Sequence, residues 1–190
     1  MKKDQSQKII IGIDPGSVIM GYGILSVSGK NAEMLSMGVL KMNKDASPYE
    51  RLRKIYDGVS ALIRRYNPDE LAIEAPFYGK NIQSMLKLGR AQGVAIAAAL
   101  ASDIAVHEYA PMEIKRAITG TGKASKEQVA SLLQKMLHIP DASMQIELDA
   151  TDGLAVAFCH FVQSTSPLQR QKTSSWADFV RKNPDKIHGL

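Results

Sequence analysis

The sequence predicts an α/β fold, a mixed five-stranded sheet flanked by helices, and three observations carry that expectation. Strand-like runs crowd the start of the chain: Ile9-Ile10-Ile11-Gly12-Ile13, then 21–28, then 32–42. Two more short runs, 71–74 and 105–109, are each preceded by a stretch with helical periodicity. The turn residues Ser28-Gly29-Lys30-Asn31 join the second and third runs directly. Strands joined by a tight turn pair antiparallel, whereas strands joined through a helix lie parallel, so one chain holding both kinds of connection builds a mixed sheet.

Taken in order, Ile9 to Ile13 is β-branched and continuously apolar, the pattern of a central strand buried on both faces. Asp14-Pro15-Gly16-Ser17 stops it with turn chemistry. After the hairpin, Ser47 is placed to cap a helix, with Pro48 at its first position and Glu50 closing a capping box. Leu52, Ile55, Val59, Leu62 and Ile63 follow at helical spacing, and Asn67-Pro68 ends the run. A short strand over 71–74 leads through a loop, 75–81, into a long helix over 82–102. The last strand is 105–109, and Pro111 opens a short helix ending near Gly120. Ser125 and Gln128 form another capping box, opening a helix to about His138. Residues 140–145 read as a linker and the final helix spans about 147 to 162. Beyond Ser164 the chain is polar, so residues 8–164 form the expected domain and 165–190 a polar C-terminal tail.

Composition narrows the function. With 190 residues, 45% hydrophobic and 23% charged, the chain suits one globular domain and excludes wholesale disorder. One Cys makes no internal disulfide, and the polar start before Ile9 is no signal peptide, so a reducing, cytoplasmic location is expected. The apolar run 94–101 falls far below the ~20 residues a membrane helix needs, so no membrane partner is expected. A net charge of +5, from 24 Lys and Arg against 19 Asp and Glu, permits a nucleic-acid partner without requiring one.

Four carboxylates sit where local pattern does not ask for them. Asp14 and Glu74 end strands, and the C-terminal ends of parallel strands are where α/β folds place ligand sites. Asp149 and Asp152 are three apart at the start of the last helix, so they share a face, and the core residues Leu148, Leu154, Ala155 and Phe158 on the same helix set the pair near the sheet. Anions brought that close repel and take up protons unless a cation intervenes. Oxygen-only ligands suit Mg²⁺ or Mn²⁺, and two such ions about 4 Å apart activate a water and stabilise the oxygen leaving a phosphodiester. Singly, each residue has a plainer reading. Asp14-Pro15-Gly16 is also an ordinary turn, Glu74 can pair with an Arg, and Asp149 and Asp152 gain stability from a helix N-terminus. It is the combination that points to a metal centre.

At these residues the chain resembles the RuvC family of Holliday junction resolvases. The resemblance runs through Ile11-Gly12-Ile13-Asp14-Pro15-Gly16-Ser17 with Gly21-Tyr22-Gly23, and through Ala72-Ile73-Glu74 with Phe77 and Gly79-Lys80-Asn81. It continues in Lys87-Leu88-Gly89-Arg90-Ala91-Gln92-Gly93-Val94-Ala95 and Asp149-Ala150-Thr151-Asp152-Gly153-Leu154-Ala155, spanning about residues 8 to 161. The first motif alone also opens actin-like ATPases and sugar kinases, and specificity comes from the full set. The resemblance implies a ribonuclease H-like fold and a homodimeric, Mg²⁺-dependent endonuclease that nicks opposing strands of a four-way DNA junction symmetrically. It also implies 5′-phosphate products, a sequence preference at the cut, and partnership with a branch-migration motor complex in recombination and repair. By the same match Asp14, Glu74, Asp149 and Asp152 form the catalytic, metal-binding tetrad for two Mg²⁺ ions per subunit, with Mn²⁺ as a substitute. The match at Phe77 implies stacking on an unpaired base, and Lys115 and Lys126 match basic positions near the scissile phosphate. Lys80, Lys87, Arg90, Arg116 and Lys123 are further candidates for DNA-backbone contact, against the plainer reading of solvated surface cations.

Two other functions compete: a ribonuclease H-like RNA-processing nuclease, and a module that binds branched DNA without cutting. The intact tetrad argues against the module, and the Phe77 loop with the Lys115–Lys126 segment argues against RNA processing. Gly120-Thr121-Gly122-Lys123 lacks the full spacing of a phosphate loop, so no nucleotide site is expected. Cys159-His160 is not a nucleophile pair, since adjacent helical residues point apart. His138 reads as a helix-end residue and His107 as a strand residue with no role.

Overall fold

The computed structural model describes residues 7–76, 81–144 and 148–165. Within them the order is β1 (Gln7–Asp14), β2 (Ile19–Ser28), β3 (Asn31–Lys41), α1 (Pro48–Tyr66), β4 (Glu70–Glu74) and α2 (Ile82–Leu100). β5 (Ala105–Tyr109), α3 (Pro111–Thr119), α4 (Lys126–Met136), α5 (Asp141–Met144) and α6 (Leu148–Thr165) follow. The strands form one five-stranded sheet in the order β3-β2-β1-β4-β5. β1 pairs antiparallel with β2 and β2 with β3, whereas β1–β4 and β4–β5 are parallel, so the sheet is mixed.

Side-chain alternation sorts the two faces. Ile11, Ile13, Met20, Ile24, Leu71 and Ile73 pack with α1 and α2 residues such as Ile55, Val59, Ala91 and Ala95. Ile10, Leu25 and Ala72 pack on the other face against Leu154, Ala157 and Phe158 of α6, with Ile114 of α3 and Leu133 of α4. On β1 the even-numbered residues therefore face α6, and so do those of β4. The register pairs Ile13 with Ile73, so Asp14 and Glu74, one position further on, end adjacent strands with their side chains on the α6 face.

The helix starts follow their caps. Ser47 Oγ accepts from the Glu50 N–H and the Glu50 carboxylate accepts from the Ser47 N–H. Ser125 and Gln128 make the same reciprocal pair before α4. The ends depart from expectation in specific ways. α2 stops at Leu100 because 101–103 turn, with Asp103 left-handed at φ 55°. α4 stops at Met136, with Leu137 as its C-cap and His138 left-handed at φ 51°. The expected linker over 140–145 contains the four-residue α5, which Gln134 steadies by donating to Asp141 Oδ1 at 2.6 Å. α6 runs past the expected 162 to Thr165, whose hydroxyl donates to the Phe161 carbonyl at 2.8 Å. Residues 166–190 of the expected tail lie outside the described residues.

Candidate active site

Glycines bring α6 onto the sheet. A Cβ at Gly21 would fall 1.8 Å from the Asp149 carbonyl oxygen, and one at Gly153 would fall 2.5 Å from the Tyr22 backbone. Helix backbone thus lies directly on strand backbone, closer than any side chain allows. This contact seats the first turn of α6 beside the end of β1. Carboxylate oxygens of Asp14, Asp149 and Asp152 consequently lie within 4.8 Å of one another. Glu74 shares a cleft with Asp14 and Asp152, and Lys115 of α3 and Lys126 of α4 complete its polar wall. Ile114, Val129 and Ala155 form the apolar side.

Crowding shows in the titration of the acids. Burial, then repulsion from Asp152 and Asp149, pushes Asp14 up to about 7, against the pull of the Lys126 ammonium. Burial, then the charges of Asp14 and Asp152, pushes Glu74 to about 7, with Lys126 and Lys115 opposing. Lys126 hydrogen-bonds Asp152. Burial works against its charge, but that bond and the acidic field hold its pKa above the ordinary lysine value. A set of oxygen donors that burial and repulsion leave short of positive charge fits a hard divalent cation.

This has a measurable consequence. With divalent ions chelated, the folded protein holds protons on Asp14 and Glu74 that the unfolded chain has released above about pH 4. The folded state binds more protons, so these two groups make stability fall as pH rises from about 4 towards 7. Asp14→Asn removes one of them. In chelator its thermal midpoint should exceed the parent's at pH 7.5, with the gain shrinking towards pH 4. A midpoint at or below the parent's at pH 7.5 would contradict this charge arrangement.

The profile of the family described as "Crossover junction endodeoxyribonuclease RuvC" matches residues 10–160. The chain belongs to the RuvC family. It is 58% identical over 184 residues to the crossover junction endodeoxyribonuclease RuvC of Porphyromonas gingivalis, covering 95% of this chain and 97% of that one. Its structure is similar to that of T. thermophilus RuvC in complex with a Holliday junction substrate, at 30% identity and TM-score 0.77, covering 83% of this chain and 95% of the other. The yeast mitochondrial Holliday junction resolvase Ydc2 shares the fold at TM-score 0.58 and 14% identity, over 80% of this chain and 78% of that one. These likenesses place the mixed sheet among ribonuclease H-like folds, as RuvC family members are.

The remaining candidates of this RuvC family chain fall into separate places. Lys87 and Arg90 of α2 line a groove between α1 and α2, away from the acidic cleft. Arg51 of α1 joins them there, a cation the sequence reading did not single out because nothing local marks it. Arg116 lies in α3, and the Lys123 N–H donates to Thr121 Oγ1 at 3.4 Å in the turn before α4. Phe77 and Lys80 lie outside the described residues. Gln92 is a buried residue that sequence reasoning missed. Its amide donates to the Glu74 carbonyl at 3.4 Å and to Glu108 Oε2 at 2.9 Å, bracing the end of β4. A polar residue among the small residues of α2 was the available signal. Cys159 is buried and its thiol is pushed up to about 12, first by burial, so it is no nucleophile. Among the described residues no helix is long and apolar enough to cross a membrane.

Proposed function

We propose that this chain is a Mg²⁺-dependent Holliday junction resolvase acting as a homodimer, each subunit nicking one of two opposing strands of a four-way DNA junction. The convergence of Asp14, Glu74 and Asp152 in a cleft that also holds Lys115 and Lys126 carries this reading. Asp14, Glu74, Asp149 and Asp152 are the residues that would hold two Mg²⁺ ions per subunit, or Mn²⁺ in their place. Bound there, the ions supply charge stabilisation at the attacking water and at the departing 3′ oxygen. The residues supply the rest. Glu74 is fixed through the backbone contact from Gln92, and the rigid seat of α6 fixes the spacing of Asp149 and Asp152 relative to Asp14. Ile114, Val129 and Ala155 limit bulk water on one side of the cleft. Lys126 lies on Asp152, within the cleft, and neutralises charge building on the phosphate as it leaves that carboxylate. The products are 5′-phosphate and 3′-hydroxyl ends.

Outside the cleft, Lys87 and Arg90, with Arg51, supply a cationic groove for a DNA arm, with Arg116, Lys123 and Lys80 as further backbone contacts. Phe77 stacks on an unpaired base at the crossover, a contact worth about 1–3 kcal/mol. A branch-migration motor is the partner that delivers junctions to the dimer. Lys126→Ala should lower the cutting rate about 100-fold or more, the usual cost of removing one group that stabilises transition-state charge. Lys115→Ala should behave similarly. Junction affinity should fall less and its salt dependence should flatten slightly. Unchanged cutting and binding in both variants would make them ordinary surface lysines.

The dimer is drawn through α2. Its outward face carries Ile82, 70% exposed, and then Gly89 and Gly93, which have open space where a Cβ would stand. A two-fold protein also matches a two-fold substrate. Sedimentation at micromolar protein should therefore show a dimer, and a 20.7 kDa species alone would contradict it. The activity itself is tested by offering a synthetic four-way junction, a linear duplex and an RNA hairpin, with and without Mg²⁺. Cutting of the junction alone, in Mg²⁺ alone, is the expected result. Preference for the hairpin would favour an RNA-processing nuclease, and binding without cutting would favour a recognition module.

A further inference from the structure

The alternation that turns Asp14 and Glu74 towards α6 turns a second polar set the same way. Glu70 opens β4, and the β5 residues His107 and Tyr109 pair in register with Ala72 and Glu74. α6 passes over them and contributes His160, 3% exposed and eight residues beyond Asp152, or about 12 Å along the helix. His160 Nδ1 meets Tyr109 Oη at 2.7 Å, and its Nε2 meets Glu70 Oε2 at 2.5 Å. Lys8 Nζ holds the other Glu70 oxygen at 2.5 Å. The His107 ring stacks on His160 with centroids 4.4 Å apart. Its Nε2 is buried, with no hydrogen-bond partner among the described residues.

A purely structural network accounts for His160, Glu70, Tyr109 and Lys8. It does not account for the orphaned His107 nitrogen, since an unpaired buried polar atom costs about 1–3 kcal/mol. One ligand atom each from Glu70, His107 and His160 can lie within 4.8 Å of the others. Zinc–ligand bonds of about 2.0–2.2 Å at tetrahedral angles hold such atoms about 3.4 Å apart, so the three ligand atoms close by at most about 1.4 Å and the stacked His107 ring turns its plane towards the ion. We propose that Glu70, His107 and His160 form a second metal site, specific for a borderline transition ion such as Zn²⁺ and separate from the oxygen-only catalytic centre. Two imidazoles and one carboxylate are a zinc donor set, and imidazole nitrogen selects against Mg²⁺.

The surrounding contacts suit this use. On binding, the hydrogen on His160 Nε2 is given up and Nδ1 carries one instead, donated to Tyr109 Oη, so the ring remains neutral. That is the outer hydrogen bond a ligating histidine ordinarily makes. Lys8 orients the carboxylate through the oxygen that does not face the ion. The ion ties β4, β5 and α6 together through Glu70 at the start of β4 and His107 in the middle of β5, while Glu74 of the acidic cleft ends β4. It thereby braces the helix whose N-terminal end carries Asp149 and Asp152.

The test uses the full-length chain stripped with chelator, then titrated with Co²⁺ as a visible probe and with Zn²⁺ by thermal midpoint. One equivalent of Co²⁺ should give the strong visible absorption of a tetrahedral site, abolished by Zn²⁺ and untouched by Mg²⁺. Zn²⁺ about 100-fold above its Kd should raise the midpoint by several degrees. Both signals should persist in Asp14→Asn, which alters the catalytic centre, and vanish in His107→Phe and in Glu70→Gln. Glu70→Gln keeps the size of the side chain and much of its hydrogen bonding, so it covers the case in which His107→Phe folds poorly. No Co²⁺ absorption in the parent, or signals that survive in Glu70→Gln, would overturn the proposal.

Discussion

Asp14→Asn should abolish junction cutting while leaving junction binding intact. The substitution preserves shape and removes one oxygen anion from a set whose oxygens lie within 4.8 Å of one another. Phosphodiester cleavage here is positioning plus charge stabilisation, so losing the ligand that joins β1 to the α6 pair should lower the rate by several orders of magnitude. In the proposed reading junction binding draws on cations outside the cleft, such as Lys87 and Arg90 in the α1–α2 groove, so removing a negative charge facing the DNA should hold or raise affinity. Glu74→Gln and Asp149→Asn should behave alike. Asp152→Asn should differ in one respect, because it also removes the charged partner of Lys126. Single-turnover cutting and gel-shift binding on the same junction separate the two effects. Near-normal cutting by Asp14→Asn would refute the metal-tetrad account.

Gly153→Ala should damage both fold and activity although it touches no ligand. The added Cβ would stand 2.5 Å from Tyr22 N and Cα and 2.6 Å from the Gly21 carbonyl carbon. These are backbone atoms of β2 that cannot rotate aside, so α6 must lift from the sheet. Overpacking costs about 1–3 kcal/mol, and rigid neighbours place this case at the upper end. At about 2–4 °C per kcal/mol for a chain of this size, the thermal midpoint should drop by roughly 6–12 °C. Because Gly153 follows Asp152 directly, the lift also moves the acid pair away from Asp14. A misplacement of about 1 Å costs on the order of 100-fold in rate. Cutting measured well below the new midpoint should therefore still fall by about that factor. A variant with parental stability and rate would show that α6 is not seated by this backbone contact.

Much of this was legible in the sequence because it is local. The capping boxes at Ser47 and Ser125, the hairpin at Gly29 and the β-branched run of β1 each carry their own physics within a few residues. The carboxylates at strand and helix ends stood out for the same reason. What could not be read was contact across the chain. In the sequence His107 is a strand residue without a role, and His160 only the helix neighbour of Cys159. Only packing of α6 over β4 and β5 sets His160 beside Glu70, 90 residues away, and beside Tyr109, 51 away. Gly21 and Gly153 were visible as glycines, but their purpose, backbone lying on backbone, appears only when both elements are placed. α5 was hidden because four residues carry too little periodicity to show.

Product analysis on a four-way junction labelled in turn on each strand tests the central claim most directly. With Mg²⁺, the account predicts two nicks at symmetric positions in opposing strands, bearing 5′-phosphate and 3′-hydroxyl ends that DNA ligase seals without further processing. In chelator it predicts intact strands that remain protein-bound. Equal cutting in chelator, or no cutting by the folded parent protein in Mg²⁺, would contradict it.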